Sequence, residues 1–318
     1  MEDGVSNKIT ILNKPINCNN YIVTTAIGEP YFSNFKQYTM PSWLNYCIKF
    51  NLGLAVVTNN LIDSNDKFFK KANWQKFIVA RVLKELEPLV ENICHLDTDI
   101  IISPLAPNIF DFHNNDSISV ISLRNGLPYS RNTALKSIAF HRNRYYDEKY
   151  PLDSVLFSTI DDLYKNNGLD VPKIADEVCS GVFVYNVSKY LEFFEKIFFS
   201  VDRNVKTLTN DGDQTHFNHY VLNENVKFLS YKFQTIWVFE QAMKYNFLYK
   251  HSDKKIIKKC IKSSLLDCHF LHFAGSWHES EMWKNKDNII QEDKQVFTDF
   301  KNYLDIEVSG QPRGMIKP

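Results

Sequence analysis

Short apolar segments alternate with amphipathic ones along the first hundred residues of this 318-residue chain. Tyr21 to Ala26, Leu52 to Thr58 and Glu91 to Leu96 read as buried strands, and polar residues or a glycine follow each. A helical stretch near Pro41 and a helix from Asn73, its N-cap, to Leu86 separate them. This β-α-β-α-β order predicts parallel pairing in a doubly wound α/β sheet, whose ligands bind beyond the carboxyl ends of the strands.

The second half of the chain continues the alternation with less regularity. Gly181 to Tyr185 predicts a strand and Ser188 to Phe198 a helix, and Cys268 to Phe273 predicts a late strand. Weaker patterns predict strands at Ser117 to Leu123, Val155 to Thr159 and Val226 to Ser230, and helices at Thr215 to Val221, near Gln241, and over parts of Glu279 to Tyr303. No internal repeat divides the chain, so we expect one domain over residues 1–318.

Composition excludes several classes of protein. The 37 basic residues equal the 37 acidic ones, which gives no general electrostatic grip on nucleic acid. The six cysteines form no CxxC pair, which argues against a zinc cluster and favours buried free thiols in a reducing compartment. The N-terminus is acidic and polar, unlike a signal peptide, and the apolar runs are too short to span a bilayer. We therefore expect a cytoplasmic protein without a transmembrane segment, whose membrane contact, if any, is peripheral.

Asp97-Thr98-Asp99 follows the third predicted strand and is the first candidate for chemistry. Two carboxylates at i and i+2 of extended backbone point to one side, and a divalent cation between them removes their repulsion. Hard oxygen ligands suit Mg²⁺ or Mn²⁺. The alternative is a solvated turn, and a second such motif at Asp211 to Asp213 shows how weak the pattern is alone.

His272 is the second candidate, because it ends the late strand just before Gly275, which would let the backbone approach a ligand. A neutral imidazole can complete an Asp/Asp/metal site, whereas the alternative is a satisfied core histidine. His269 lies three residues earlier and so faces the other side of a strand. At most one of the two should be a ligand.

Three weaker candidates remain. Asp213-Gln214 could hydrogen-bond a sugar, or Asp213 could simply cap a helix. Ser180-Gly181 could let a substrate lie on the backbone, or could be a tight strand entry. Lys76 or Arg81 could pair with a diphosphate, although either could lie on a solvated helix face. The chain lacks GxxxxGK[ST], GxGxxG, GxSxG and HExxH, which removes support for P-loop, dinucleotide, α/β-hydrolase and zincin enzymes.

Taken in order, these segments resemble metal-dependent glycosyltransferases of the GT-A fold, especially family 8 and its relatives. The resemblance spans residues 20–283 and rests on five segments: Tyr21 to Ala26, Asp97-Thr98-Asp99, Ser180 to Asn186, Asp213-Gln214 with Asn218, and His272 to Gly275. It implies a doubly wound mixed sheet with a nucleotide-sugar-binding half at 20–125 and an acceptor and catalytic half at 126–283. Residues 284–318 would form a C-terminal extension.

The resemblance also implies roles for individual residues. Asp97, Asp99 and His272 would bind Mn²⁺ or Mg²⁺, with Asp97 and Thr98 near the ribose. The end of the first strand would line the base and ribose, and Arg81 would reach the donor sugar or its phosphates. Gly181, Asp213 and Gln214 would border the reacting centre, and Gly275 would lie against the nucleotide. The residues at the end of the first strand are Thr24, Thr25 and Ala26.

The sequence departs from family 8 after the histidine motif. Those enzymes usually continue with Lys-Pro-Trp, whereas this chain reads Ser276-Trp277-His278-Glu279, which leaves Lys284 as a substitute for the diphosphate-binding lysine. The implied reaction moves a sugar, here a hexose, from a nucleotide sugar to a hydroxyl of a glycan, lipid-linked or protein acceptor. UDP is the nucleotide that enzymes of this family commonly use. The Asp213-Gln214 pair resembles the retaining pattern, whereas Asp213 would be the base of an inverting enzyme.

Two other functions use part of the same pattern. A sugar-phosphate nucleotidyltransferase would also place carboxylates and Mg²⁺ over a doubly wound sheet, but such enzymes usually carry a glycine-rich basic loop where this chain has only Gly28. A carbohydrate-binding protein without activity would not need Asp97, Asp99 and His272. The sequence is silent on the donor sugar, the acceptor and the oligomeric state.

Overall fold

A computed structural model describes residues 7–29, 31–145, 159–207, 212–250 and 253–274. Within them the chain forms a mixed α/β fold around a seven-stranded sheet and a three-stranded one. The strands are β1 (Ile9–Asn13), β2 (Asn20–Thr25), β3 (Gly53–Val57), β4 (Asn92–Leu96), β5 (Ile100–Ile102), β6 (Ile118–Ser122), β7 (Val178–Asn186), β8 (Val226–Phe228), β9 (Thr235–Ile236) and β10 (Phe270–His272).

The helices surround these sheets. They are α1 (Tyr31–Tyr38), α2 (Met40–Phe50), α3 (Val79–Leu86), α4 (Arg131–Tyr145), α5 (Ile160–Asn166), α6 (Val187–Phe199), α7 (Gln214–Val221), α8 (Trp237–Lys244) and α9 (Lys254–Asp267). Short 3₁₀ helices cover Ala72–Phe77, Ile109–Phe112, Tyr231–Gln234 and Asn246–Lys250.

The large sheet has the order β1-β3-β2-β4-β7-β6-β8. The three strands predicted from the opening of the chain, β3, β2 and β4, pair in parallel, as the alternation requires. β7 is antiparallel to both of its neighbours, so the sheet is mixed. Because β2 and β4 run the same way, their carboxyl ends reach the same edge, where Asp97 follows β4.

Apolar side chains are buried on both faces of the large sheet, which is the doubly wound arrangement. One face packs the 3₁₀ helix Ala72–Phe77 with α3, α6 and α7 around Phe77, Phe183 and Phe194, whose rings contact one another. The other face packs α2 around Trp43, whose indole nitrogen donates to the carbonyl of Ile100 at 2.7 Å. All six cysteines are free thiols, as expected.

The small sheet has the order β5-β10-β9 and joins distant parts of the chain. β10 pairs antiparallel with β5, with His272 opposite Ile100, and parallel with β9, with His272 opposite Ile236. The sequence predicted β10 as the late strand but gave no partner for it.

Several elements differ from the prediction. The helix expected from Asn73 to Leu86 is a 3₁₀ helix followed by α3, and Lys71, not Asn73, holds the N-cap position. Asn73 caps nothing because it lies inside the 3₁₀ helix, and its side chain donates to Asp213 at 2.7 Å. β1, β5, β9, α1, α4, α5 and α9 were not predicted. Residues 155–158 of a predicted strand and the segment Glu279 to Tyr303 lie outside the described residues.

Within the described part of the chain, no helix is both long enough and apolar enough to cross a bilayer.

Candidate functional site

The turn Asp97-Thr98-Asp99 connects β4 to β5, and hydrogen bonds to three separate elements fix its backbone. The amide of Asp97 donates to the carbonyl of Gly181 at 2.9 Å. The Thr39 hydroxyl, just before α2, donates to the carbonyl of Thr98 at 2.9 Å. The amide of Phe273, just after β10, donates to the carbonyl of Asp99 at 3.0 Å. The two carboxylates are therefore presented by a rigid turn rather than by a free loop.

His272 completes a cluster with these two carboxylates. Its Nε2 atom lies 3.1 Å from Asp99 Oδ1 and 4.0 Å from Asp97 Oδ2. The histidine side chain is 3% exposed, whereas about a third of each aspartate side chain faces solvent. One ligand atom from each residue lies within 4.8 Å of the others, and this is the candidate metal group found among the described residues.

Gly181 allows the side chains of His272 and Asp97 to pack directly against β7. A Cβ atom at this position would lie 2.6 Å from Cε1 of His272 and 2.8 Å from Oδ2 of Asp97. Real Cβ atoms essentially never make contacts this short, so a side chain here would displace two of the three possible ligands. The position therefore requires glycine for space and not merely for a tight strand entry.

The charges of the cluster influence one another. The pKa of His272 is raised well above its usual value, because the neighbouring Asp99 carboxylate outweighs the effect of burial. Burial opposes the charged form of Asp99 as well, yet His272 lowers its pKa. The pKa of Asp97 is raised, chiefly by burial. A metal ion at the cluster would compete with a proton for His272.

Lys76 is the cation at this site, and it comes from the 3₁₀ helix Ala72–Phe77. Its Nζ lies 2.9 Å from Asp213 Oδ2 and 3.7 Å from Asp97 Oδ1, and it donates to the carbonyl and hydroxyl of Ser180. The lysine side chain is 1% exposed. Burial disfavours its charge, but the carboxylates of Asp213 and Asp97 outweigh burial and raise its pKa. Lys76 therefore links Asp213 to the cluster of Asp97, Asp99 and His272 and is not part of a solvated helix face.

Asp213 occupies the N-cap position of α7 but makes no capping hydrogen bond. Its Oδ1 atom accepts a hydrogen bond from Asn73 Nδ2 at 2.7 Å, while its Oδ2 atom faces Lys76. The side chain is 5% exposed. The simple capping interpretation of Asp213 is therefore wrong: this carboxylate is held by an amide and an ammonium group beside the cluster.

Gln214, the first residue of α7, lies next to a buried ion network. Its amide Nε2 is 3.4 Å from Glu177 Oε1. The other oxygen of Glu177 lies 3.1 Å from Arg124 Nε and 3.3 Å from a terminal nitrogen of Arg131. Burial alone would raise the pKa of Glu177, but the two guanidinium groups lower it. Asn218, one turn after Gln214, bonds both the amide and the carbonyl of Val178, which ties α7 to β7.

The predicted nucleotide-contacting residues at the end of β2 lie at the same sheet edge as the cluster. Thr24 is fully buried, and its hydroxyl has no hydrogen-bond partner among the described residues. Thr25 is half-buried and Ala26 is buried. Their contact with a base or ribose stays a prediction.

Arg81 is not brought to the cluster. Its guanidinium forms a bidentate ion pair with Glu195 of α6. Arg81 also lines a groove between α3 and α6 with Lys84 and Ser188. The cation beside the carboxylates is Lys76, which the sequence offered as the alternative. Gly275 and Lys284 lie outside the described residues. His269 contacts Phe233 and does not belong to the cluster.

The sequence analysis did not identify three residues near the site, namely His95, Gln234 and Glu177. His95 on β4 is fully buried, stacks on Phe183, and places Nδ1 4.0 Å from Asp97 Oδ1. Burial and Lys76 lower its pKa well below the usual value, so it is neutral. Gln234 lies behind His272, with its Nε2 3.2 Å from His272 Nδ1. No sequence motif marks these three residues, and the fully buried β4 has no alternation that would single out His95.

The donor set fits a divalent metal ion. Two carboxylates and an imidazole supply oxygen and nitrogen ligands of the kind that Mn²⁺ accepts readily and Mg²⁺ accepts in part. The three ligand atoms converge, and the missing Cβ of Gly181 leaves space beside two of them. Asp97, Asp99 and His272 could therefore hold the ion that the resemblance implies.

Comparison with known proteins gives matches to solved structures alone, since no protein-family model and no curated protein matches this sequence. A glycosyltransferase involved in the glycosylation of the major capsid of PBCV-1 is 12% identical, with a TM-score of 0.46 over 83% of this chain and 98% of that one. The apo bifunctional glycosyltransferase WbbM is 12% identical, with a TM-score of 0.48 over 92% and 50%. The glycosyltransferase GlyE of Streptococcus pneumoniae TIGR4 is 11% identical, with a TM-score of 0.43 over 91% and 61%. At these values the function rests on the residues of the site itself.

Proposed function

We propose that this protein is a metal-dependent glycosyltransferase that moves a sugar, a hexose by family habit, from a UDP-sugar to a hydroxyl group. The acceptor would be a glycan, a lipid-linked sugar or a protein. The observation that carries the proposal is the convergence of Asp97, Asp99 and His272 beside Gly181, at the carboxyl edge of the parallel strands. Ligands of doubly wound sheets bind at this edge.

A divalent ion bound by the three residues would stabilise the negative charge that develops on a departing nucleoside diphosphate. The chain's own residues have separate tasks. The rigid turn at Asp97 to Asp99 fixes the two carboxylates, and Gly181 lets two of the three possible ligands pack directly against β7. Thr24, Thr25 and Ala26 would line the nucleotide at the end of β2, where Thr25 is half-buried.

Lys76 supports the site electrostatically. It lies between Asp97 and Asp213 and offsets negative charge that would otherwise accumulate on three neighbouring carboxylates. Its position also favours an anionic leaving group, because a buried ammonium in a low-dielectric site acts strongly on nearby charge. This role falls to Lys76 rather than to Arg81, whose charge is paired with Glu195.

We propose a retaining outcome. An inverting enzyme needs a carboxylate that can take the acceptor's proton. Asp213 is the candidate in this region, but Asn73 and Lys76 already engage its two oxygens and the side chain is only 5% exposed, which disfavours contact with an acceptor hydroxyl. Gln214 follows directly and cannot act as a base, which is compatible with front-side attack by the acceptor.

The test is nucleotide release from a panel of nucleotide sugars, measured with Mn²⁺ and with EDTA. Slow transfer to water exposes a donor even when the acceptor is unknown. We expect one donor to be cleaved in the presence of Mn²⁺, with no release in EDTA and none by Asp99→Asn. Asp116→Asn is the matched control, since Asp116 is largely exposed, pairs with Lys189 and forms no hydrogen bond or ion pair with Asp97, Asp99 or His272 among the described residues.

The other outcomes separate the alternatives. Consumption of a sugar 1-phosphate with a nucleoside triphosphate would replace the proposal with a nucleotidyltransferase. A protein that binds a sugar but cleaves no donor under any metal condition, and whose binding survives Asp99→Asn, would be a carbohydrate-binding protein. The anomeric configuration of the product, read by NMR, distinguishes the retaining from the inverting outcome.

A further inference from the structure

Gln234 is buried directly behind the candidate metal ligand His272. It is the last residue of the 3₁₀ helix Tyr231–Gln234 and is completely shielded from solvent. Its side-chain nitrogen lies 3.2 Å from His272 Nδ1, while its side-chain oxygen has no hydrogen-bond partner among the described residues. A buried amide oxygen without a hydrogen-bond partner is unfavourable, so the orientation of the Gln234 side-chain amide needs an explanation.

The two nitrogens of His272 face different surroundings. Nε2 points at the carboxylates of Asp99 and Asp97, and it is therefore the atom that can bind a metal ion. A neutral imidazole that binds metal through Nε2 carries its proton on Nδ1, and that proton needs an acceptor. A half-turn of the Gln234 amide about its Cγ–Cδ bond exchanges its nitrogen and oxygen, which brings the unpartnered oxygen to Nδ1.

We propose that Gln234 is a positioning residue that accepts the Nδ1–H of His272 and so holds the imidazole in the tautomer and orientation required for metal binding. This inference rests on the proposed metal-dependent function. Residues that orient a metal-binding histidine in this way commonly change metal affinity about 10–100-fold when they are removed.

Backbone pairing holds Gln234 in place for this task. The residue directly precedes β9, and β9 pairs in parallel with β10, with Ile236 opposite His272. Gly181 also leaves room for the amide, because a Cβ there would lie 3.1 Å from Gln234 Nε2. The absence of a side chain at Gly181 thus leaves room both for His272 and for Gln234, the residue that would orient it.

Cys179 is the competing neighbour, since its thiol also interacts with His272. A thiol is a weak hydrogen-bond acceptor compared with an amide oxygen. If the thiol oriented the imidazole, its removal and not that of Gln234 would affect the metal site. Cys179→Ala is therefore the matched control.

The experiment titrates the protein alone with Mn²⁺ and measures free Mn²⁺ by electron paramagnetic resonance. We expect Gln234→Met to weaken binding about 10–100-fold. Gln234→Glu, which keeps an acceptor oxygen facing Nδ1, should bind at least as tightly as wild type, and Cys179→Ala should bind like wild type. Circular dichroism establishes that each variant is folded, and Gln234→Glu keeps the test decisive should Gln234→Met fail to fold.

A spectroscopic measurement separates positioning from a general structural effect. With ¹⁵N-labelled histidine and Mg²⁺ present, His272 should carry its proton on Nδ1 in wild type and in Gln234→Glu, and should lose that single tautomer in Gln234→Met. Three results would overturn this inference alone. The first is equal Mn²⁺ binding by wild type and folded Gln234→Met, and the second is weaker Mn²⁺ binding by Gln234→Glu than by wild type. The third is a loss of Mn²⁺ binding that occurs in Cys179→Ala only. Absence of Mn²⁺ and Mg²⁺ binding by wild type overturns the proposed function and this inference with it.

Discussion

Replacing Gly181 with alanine tests the site with a single methyl group. Gly181 has no left-handed backbone conformation, so alanine brings no backbone strain and its effect comes from space alone. The added Cβ would lie 2.6 Å from His272 Cε1 and 2.8 Å from Asp97 Oδ2. Ordinary contact begins at 3.4 Å, so the overlaps are about 0.8 Å and about 0.6 Å (3.4 less 2.6 and 3.4 less 2.8).

These overlaps set the expected magnitudes. Overpacking of a buried position costs about 1–3 kcal/mol of the free energy of unfolding, which in a chain of this length lowers the melting temperature by about 2–5 °C. Metal ligands tolerate displacements of about 0.2 Å, and the methyl group forces larger ones on Asp97 or His272. We therefore expect Mn²⁺ affinity to fall at least about tenfold, together with donor cleavage.

The assay combines a thermal melt with the Mn²⁺ titration, and Gly53→Ala is the control. A Cβ at Gly53 on β3 would strike the Tyr21 ring, so this variant also loses stability by overpacking. Its contacts do not include the cluster, and its Mn²⁺ affinity should stay at the wild-type value. A folded Gly181→Ala that binds Mn²⁺ as well as wild type would refute the reasoning, as would an equal loss of affinity in Gly53→Ala.

Two further predictions concern stability. Lys76→Met should lower the free energy of unfolding in urea by about 3–5 kcal/mol, because it leaves the buried carboxylate of Asp213 unpaired, and adding Asp213→Asn should restore part of this loss. Arg81→Met, which removes a largely exposed ion pair, should cost less than about 1 kcal/mol; equal costs for the two would contradict the assignment of Lys76 to the site. His216 is buried with a pKa lowered to about 4, chiefly by burial. Because this value is below that of the unfolded chain, its stabilisation is complete above about pH 6.5 and is lost towards pH 4, by up to about 3 kcal/mol, and His216→Gln should flatten that part of the pH profile.

Local patterns predicted the strands of the large sheet that carry the site. β2, β3, β4 and β7 are buried runs bounded by polar residues or glycine, and such runs stand out because a strand covered on both faces has few polar positions. Parallel pairing of the first three followed from the helices between them. The position of Asp97 at a carboxyl edge was therefore predictable from sequence.

Residues whose role depends on tertiary contact were not predictable in the same way. Lys76 and Arg81 lie on consecutive helical segments five residues apart, and nothing local tells which one is buried. The break at Ile78, between the 3₁₀ helix and α3, changes the direction that each side chain takes. Lys76 consequently meets Asp213, which is distant in sequence, while Arg81 meets Glu195 on α6. The same limit applies to Asn73, which lies inside the 3₁₀ helix and not at its N-cap, and whose side chain donates to Asp213, a residue distant in sequence.

The small sheet explains how distant residues form one cluster. β5 follows the turn at Asp97 to Asp99 directly, and its pairing with β10 puts His272 opposite Ile100, one residue beyond that turn. The amide of Phe273 donates to the carbonyl of Asp99, which fixes the register at the end of the small sheet beside the Asp97, Asp99 and His272 cluster. A shift of one residue would turn the imidazole to the other face of β10, so this short pairing, and not the large sheet, determines whether the third ligand reaches the carboxylates.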